Sequence, residues 1–311
     1  MNLKIKDFLA ITDLNKEELL FVLKTAKDFK TGKLKEKTLS GKSVAMIFEK
    51  PSTRTSVSFT VAMYELGGFP LMLDARNMQS RRGESIHDTA TVLSRYLDGV
   101  MFRALKHDDA EAFAHAATVP VINGLTNKEH PCQILGDILT IIEKRSINSA
   151  AGLRKIKVAF VGDGNNVANS WIGAAAVLGF HIALARPAGY GPDETLLKKA
   201  HISARRTGGK ITITSNVAEA VKDADVIYTD VWTSMGAEDE QKERRRVFRP
   251  YQVNASMLKK ARPNCMVMHC LPAIREEEIT SEIMDGKHSV IFDEAENRLH
   301  IQKALLVFFM K

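Results

Sequence analysis

Short runs of consecutive apolar residues alternate along this chain with stretches in which apolar residues recur every third or fourth position. The first run, Val44-Ala45-Met46-Ile47-Phe48, is followed by Phe59, Ala62, Met63 and Leu66 at helical spacing, until Gly67-Gly68 ends the pattern. This predicts strand, loop, helix. The alternation returns with Val100-Met101-Phe102 and Val119-Pro120-Val121-Ile122, and a helical stretch runs from Ile134 to Glu143. The polar segment Lys144 to Lys155 reads as a junction. A second series of strands is then expected at Val158–Val161, Ile182–Leu184, Ile211–Thr214, Val226–Thr229, Met266–Met268 and Val290–Phe292, with a closing helix over Asn297–Phe309. Apolar strands alternating with helices specify parallel sheets covered on both faces. The predicted fold class is therefore α/β, with two doubly wound parallel-sheet domains and an active site in the cleft between them. The domains are expected at 1–145, completed by the C-terminal helix 295–311, and at 146–294. Ligands of such sheets sit outside the carboxyl ends of the strands, so loops that follow strands are where chemistry is sought.

At 311 residues, with 45% hydrophobic and 26% charged residues, the chain is long enough for two ordinary cores. No apolar run approaches the roughly 20 residues that span a bilayer, and Met1-Asn2-Leu3-Lys4-Ile5-Lys6 lacks a secretory pattern, so no membrane association and a cytoplasmic location are expected. The cysteines Cys132, Cys265 and Cys270 form neither a disulfide framework nor a zinc spacing, which predicts reduced thiols and no metal. A net charge of +7 raises the question of nucleic acid, but the cations are scattered among 37 acids, and only Arg244-Arg245-Arg246 is a tight run. That run reads as a solvated loop face, and the surplus charge suits small anionic substrates.

Between the first strand and its helix lies Glu49-Lys50-Pro51-Ser52-Thr53-Arg54-Thr55-Ser56. Hydroxyls and a guanidinium meet a helix N-terminus there, whose free N–H groups attract anions. Arg54 can hold a phosphate bidentately while Ser52, Thr53 and Thr55 donate from hydroxyls. Ordinary helix capping by Ser52 or Thr53 is the alternative. The segment resembles the carbamoyl phosphate loop of the aspartate and ornithine carbamoyltransferase family, Pro-Ser-Thr-Arg-Thr-Arg-x-Ser-Phe. It departs from that loop at Ser56, where the family usually has a second arginine. His130-Pro131-Cys132-Gln133, which opens a helix with proline near its first position, is similar to the family's His-Pro-x-Gln. The resemblance runs from about Leu39 to Leu306. It implies a carbamoyl phosphate site formed by Ser52, Thr53, Arg54, Thr55, Gln79, Arg103, His130, Pro131, Cys132, Gln133, Cys270, Leu271 and Arg298. Arg54, Arg103, His130 and Cys270 are the residues it implies to be catalytic. Gln79 corresponds to a family residue that enters a neighbouring subunit's site, which implies a homotrimer or a multiple of trimers.

Two segments bear on the acceptor, Asp230-Val231-Trp232-Thr233-Ser234-Met235-Gly236 and His269-Cys270-Leu271-Pro272. An aspartate at the carboxyl end of a buried strand is apt for a substrate ammonium. Both segments resemble the ornithine branch of the family rather than the aspartate branch, whose corresponding segment lacks the cysteine. The resemblance implies Asn166, Asp230, Ser234 and Met235 as ornithine-binding residues and no cofactor, since the phosphoric anhydride supplies the activation. The implied activity is carbamoyl transfer from carbamoyl phosphate to the side-chain amine of L-ornithine, giving L-citrulline and phosphate, for arginine biosynthesis. Gly162-Asp163-Gly164-Asn165-Asn166 superficially resembles a dinucleotide loop, but its third glycine position is Val167, and the next strand ends in Arg186-Pro187 rather than an acid for a ribose hydroxyl. The competing readings are a sister enzyme acting on putrescine or an acylated ornithine, an NADP-dependent oxidoreductase, and a non-enzymatic relative.

Overall fold

The structure, a computed structural model, describes residues 5–79, 83–233 and 238–310. The chain divides into two compact units, residues 1–139 with 296–311, and residues 140–295.

The first unit contains α1 (Lys16–Lys30), β1 (Ser43–Phe48), α2 (Thr53–Glu65), β2 (Phe69–Asp74), α3 (Ile86–Leu93), β3 (Gly99–Arg103), α4 (His107–Ala116) and β4 (Val121–Leu125), and α5 (Pro131–Lys144) begins in it. All strand pairs are parallel, in the order β2-β1-β3-β4. The centre of this sheet is apolar because it is covered on both faces: β1 is buried after its first residue and β3 throughout. Strand β2 was not among the expected elements. Its Pro70 lacks the N–H that a central strand requires, but β2 lies at the sheet edge, where one side needs no partner. The N-terminal segment extends the opposite edge, Phe8 N–H donating to the Val121 carbonyl and Asn123 N–H to the Phe8 carbonyl, at 2.9 and 2.8 Å.

The second unit contains α6 (Ala150–Leu153), β5 (Lys157–Val161), α7 (Asn166–Leu178), β6 (His181–Ala185), α8 (Glu194–Thr207), β7 (Lys210–Thr214), α9 (Val217–Val221), β8 (Val226–Thr229), α10 (Gln241–Phe248), α11 (Ala255–Leu258), β9 (Met266–His269) and α12 (Ser281–Met284). Its parallel sheet runs β7-β6-β5-β8-β9. Trp171 on α7 is fully buried against Tyr228 and Phe180, at ring separations of 5.3 and 5.9 Å. The last expected strand, Val290–Phe292, is corrected. Only Ser289 makes a bridge to Val267 beside β9, and Ile291 opens the final helix, α13 (Ile291–Met310). Its apolar residues serve a helix face rather than a sixth strand: Ile291 is buried and Phe292 exposed.

In each sheet the strand order reverses once, between β1 and β3 and between β5 and β8. Helices on either side of such a point lie on opposite faces of the sheet and leave a crevice beyond the strand ends. At the second of these points Gly164 N–H donates to the Tyr190 carbonyl, at 3.2 Å, and a Cβ added to Gly164 would stand 2.3 Å from the Gly191 carbonyl carbon and the Pro192 nitrogen. Both obstacles are backbone and cannot rotate away. Gly164→Ala should therefore destabilise the fold by about 1–3 kcal/mol, the usual cost of overpacking, seen as a lower urea midpoint with an unchanged slope.

Candidate active site

The first cluster grows from the loop after β1. Ser52 caps α2 by accepting from the Thr55 N–H at 3.4 Å, so the helix N-terminus opens beside Ser52 and Thr53. Thr55 is fully buried in the first turn, and Arg298 of α13, only 3% exposed, donates to its hydroxyl at 2.5 Å. Arg103 ends β3, in register with Phe48 at the end of β1. His130 precedes α5, after the turn in which Thr126 N–H donates to the Glu129 carbonyl at 2.9 Å. Gln133 donates from Nε2 to Asp137 one turn on, at 2.8 Å, which fixes the orientation of its amide.

Burial first, then the positive charges of Arg298, Arg103 and Arg54, hold the His130 pKa well below the ordinary histidine value. At neutral pH its imidazole is uncharged. Three guanidinium groups thus meet a neutral ring able to donate without adding charge. Cys132 is different: its thiol donates to the Asn123 carbonyl at 3.3 Å, and burial pushes it up to about 12. The thiol therefore faces the sheet and is no nucleophile.

On the outer side of this helix start lies a pocket of about 340 Å³ whose lining includes Lys50, Ser52, Thr53, Ser56, Met72, Asp74 and Arg76. Ser56 faces the Met72 sulfur at 3.8 Å, and Arg76 grips Asp74 at 2.6 and 3.0 Å. Gln79 is exposed, beside residues that lie outside the described ones.

The second cluster gathers at the carboxyl ends of β5, β8 and β9. Asp230 is 8% exposed. Its Oδ1 accepts from the Cys270 thiol at 3.1 Å and from the Val231 N–H at 2.8 Å, and its Oδ2 accepts from Asn165 Nδ2 at 2.7 Å. These donors are all neutral, so they aim the carboxylate without cancelling its charge. The asparagine on Asp230 is Asn165, which also caps α7 by accepting from the Val167 and Ala168 N–H groups; the expected Asn166 is its half-buried neighbour. The expected Ser234 and Met235 lie outside the described residues. Leu271 is half-buried, with a left-handed φ of 58°.

Residues the sequence reading missed support this cluster. Arg244 donates from Nη1 to Asp163 and to the Trp232 carbonyl, at 2.7 and 3.0 Å, and lies over the Tyr190 ring at 5.0 Å. Burial pushes the Asp163 carboxyl up, against the pull of Arg244. The arginine run is therefore not a free cationic face: Arg245 pairs with Glu277 and Arg246 with Glu243. No helix among the described residues is long and apolar enough to cross a membrane.

Parallel α/β units with a cationic helix-start cluster in one and a carboxylate at a strand end in the other define a class of two-domain enzyme that takes a small anion and an amine. The family described as "Aspartate/ornithine carbamoyltransferase, carbamoyl-P binding domain" matches residues 6–143, and "Aspartate/ornithine carbamoyltransferase, Asp/Orn binding domain" matches residues 154–309. The chain is 51% identical over 308 residues to an ornithine carbamoyltransferase of Methanosphaera stadtmanae, covering 99% of this chain and 100% of the relative. It is 52% identical over 309 residues to the anabolic ornithine carbamoyltransferase of Pyrococcus furiosus, covering 98% and 96%. The solved Pyrococcus furiosus ornithine carbamoyltransferase superposes with a TM-score of 0.93 at 51% identity, covering 98% of this chain and 97% of that one. The chain belongs to the aspartate/ornithine carbamoyltransferase family.

Between the ordinary histidine value and the depressed native value of His130, the unfolded chain binds more protons than the folded one. Its contribution to stability is complete above the ordinary value and is lost as pH falls from there to the native one. Arg298→Gln should raise the His130 pKa part of the way back, read by NMR titration of the imidazole. An unmoved midpoint would mean that Arg298 has no part in setting it, leaving burial with Arg103 and Arg54.

Proposed function

We propose that this protein is an ornithine carbamoyltransferase, transferring the carbamoyl group of carbamoyl phosphate to the side-chain amine of L-ornithine to give L-citrulline and phosphate, in the direction of arginine biosynthesis. The observation that carries the acceptor is the buried Asp230 carboxylate, which among the described residues is met by neutral donors alone and so can accept a hydrogen bond from an amine. Support for the donor is the helix start at Ser52 to Thr55 with Arg54, Arg103 and Arg298 around a neutral His130.

In this reading Ser52, Thr53, Arg54 and Thr55 hold the phosphate. Ornithine's amine resembles lysine's, with a pKa of about 10.4, so the site must favour the neutral form. The guanidinium groups lower that pKa, while Asp230 and Cys270 orient the nitrogen. Attack on the carbonyl carbon forms the C–N bond and an oxyanion, which Thr55, Arg103 and His130 stabilise. The oriented amide of Gln133 accepts from the carbamoyl NH₂ through its carbonyl oxygen. The C–O bond to phosphate then breaks, the electron pair leaves with phosphate, and a phosphate oxygen takes the amine proton. No covalent enzyme intermediate forms.

A neighbouring copy supplies Gln79 in a homotrimer, acting in the cytoplasm. What supports assembly is a set of exposed large apolar side chains on α2 and at β2, namely Val57, Tyr64, Phe69 and Met72.

Purified protein given carbamoyl phosphate should form product with L-ornithine and not with aspartate, putrescine or N-acetylornithine; product with another amine alone would overturn the acceptor assignment. Arg54→Ala should fold normally and lose about 10²–10³-fold in turnover, the scale of removing one preorganised donor from a developing charge. Near-normal turnover in that variant would refute the phosphate site.

A further inference from the structure

Cys270 and Leu271 occupy a turn that the backbone does not favour. Leu271 sits at φ 58°, a left-handed conformation that costs a side-chain-bearing residue energy and persists only where its surroundings enforce it. The enforcement is visible. Leu271 N–H donates to His269 Nδ1 at 2.9 Å, so that nitrogen carries a lone pair and the ring proton is on Nε2. Nε2 in turn donates to Glu278 Oε1 at 3.0 Å. The same Oε1 accepts from the Ile274 N–H at 2.6 Å. One carboxylate oxygen thus pins both ends of the segment 271–274, once through the imidazole and once directly.

Both His269 and Glu278 are completely buried, so water cannot replace either bond. Glu278 is itself anchored, its carbonyl accepting from the Val253 N–H at 2.8 Å. A second carboxylate holds the start of the turn: Glu294 accepts from the His269 N–H at 3.0 Å and from the Tyr228 hydroxyl at 3.2 Å. The outcome of this scaffold is the 3.1 Å contact of the Cys270 thiol with Asp230.

We propose that Glu278 is a positioning residue: acting through His269 and the Ile274 N–H, it holds the Cys270–Leu271 turn so that the thiol meets Asp230. It touches neither substrate. Its importance for turnover rests on the assignment of Asp230 and Cys270 to the ornithine amine, but its grip on the turn does not. What the turn needs from Glu278 is an acceptor oxygen at a fixed place. Glutamine supplies one; alanine does not, and aspartate withdraws it by a methylene.

Two readouts separate the possibilities. The first is iodoacetamide alkylation of Cys270, followed by mass spectrometry. Cys132 and Cys265 provide an inert background, since burial pushes both thiols up to about 12. Glu278→Ala should accelerate alkylation of Cys270 by about five- to tenfold, as the loss of an ordinary hydrogen bond dictates. The second is steady-state kinetics. Glu278→Ala should lower kcat/KM for ornithine by about 10²-fold, the cost of a misplaced reacting group, while KM for carbamoyl phosphate stays within about twofold. Glu278→Gln should match the parent in both, and Glu278→Asp reports in place of the alanine variant if that one does not fold. Unchanged alkylation and turnover in the alanine and aspartate variants would overturn the proposal. So would a glutamine variant as impaired as alanine, or carbamoyl phosphate KM rising in step with ornithine's. Should the parent chain form no citrulline, the functional reading falls, and the alkylation rates alone decide whether Glu278 holds the turn.

Discussion

Parallel pairing is the constraint from which the rest of this molecule follows. Strands that run the same way must be joined by crossovers, so every strand delivers its carboxyl end to one edge of its sheet. In the first unit β1, β3 and β4 lead into the Ser52 helix start, Arg103 and His130. In the second, β5, β8 and β9 lead into Asn165, Asp230 and Cys270. Within the second unit Asn165 and Cys270, far apart along the chain, both reach Asp230 because each follows a strand. The reversal of strand order supplies the space beyond them.

The two clusters treat charge in opposite ways. In the first, burial and then the positive charge gathered around it keep the His130 imidazole neutral at neutral pH. In the second, a buried carboxylate is surrounded by an amide, a thiol and a peptide N–H, which leaves its charge for something else. Asp163 nearby shows the contrast, because Arg244 neutralises it and turns it into a strut.

Support lies one layer out. His269 has no polar atom to spare for a ligand, as one ring nitrogen receives the Leu271 N–H and the other engages Glu278. Its contribution is to transmit the position of a buried carboxylate to a turn the chain would not otherwise adopt.

Much of this was legible along the chain. Apolar runs marked the buried strands, since a strand covered on both faces admits few polar residues. The helix-start hydroxyls with Arg54, and the aspartate closing β8, stood out as candidate site residues by residue type alone. Edge strand β2 escaped notice because Pro70 argues against a central strand, and Val290–Phe292 misled because three apolar residues suit a helix face as well as a strand. The sequence by itself determined the two parallel-sheet units, the order of their elements and the chemical character of each strand-end loop, because these depend on local periodicity and side-chain type. Only the tertiary structure decided that Asn165 rather than Asn166 reaches Asp230, that the Arg244 run is spent on ion pairs, and that Glu278 governs the Cys270 turn. Those outcomes depend on which groups converge in space, and nothing in the spacing of residues along a chain records that.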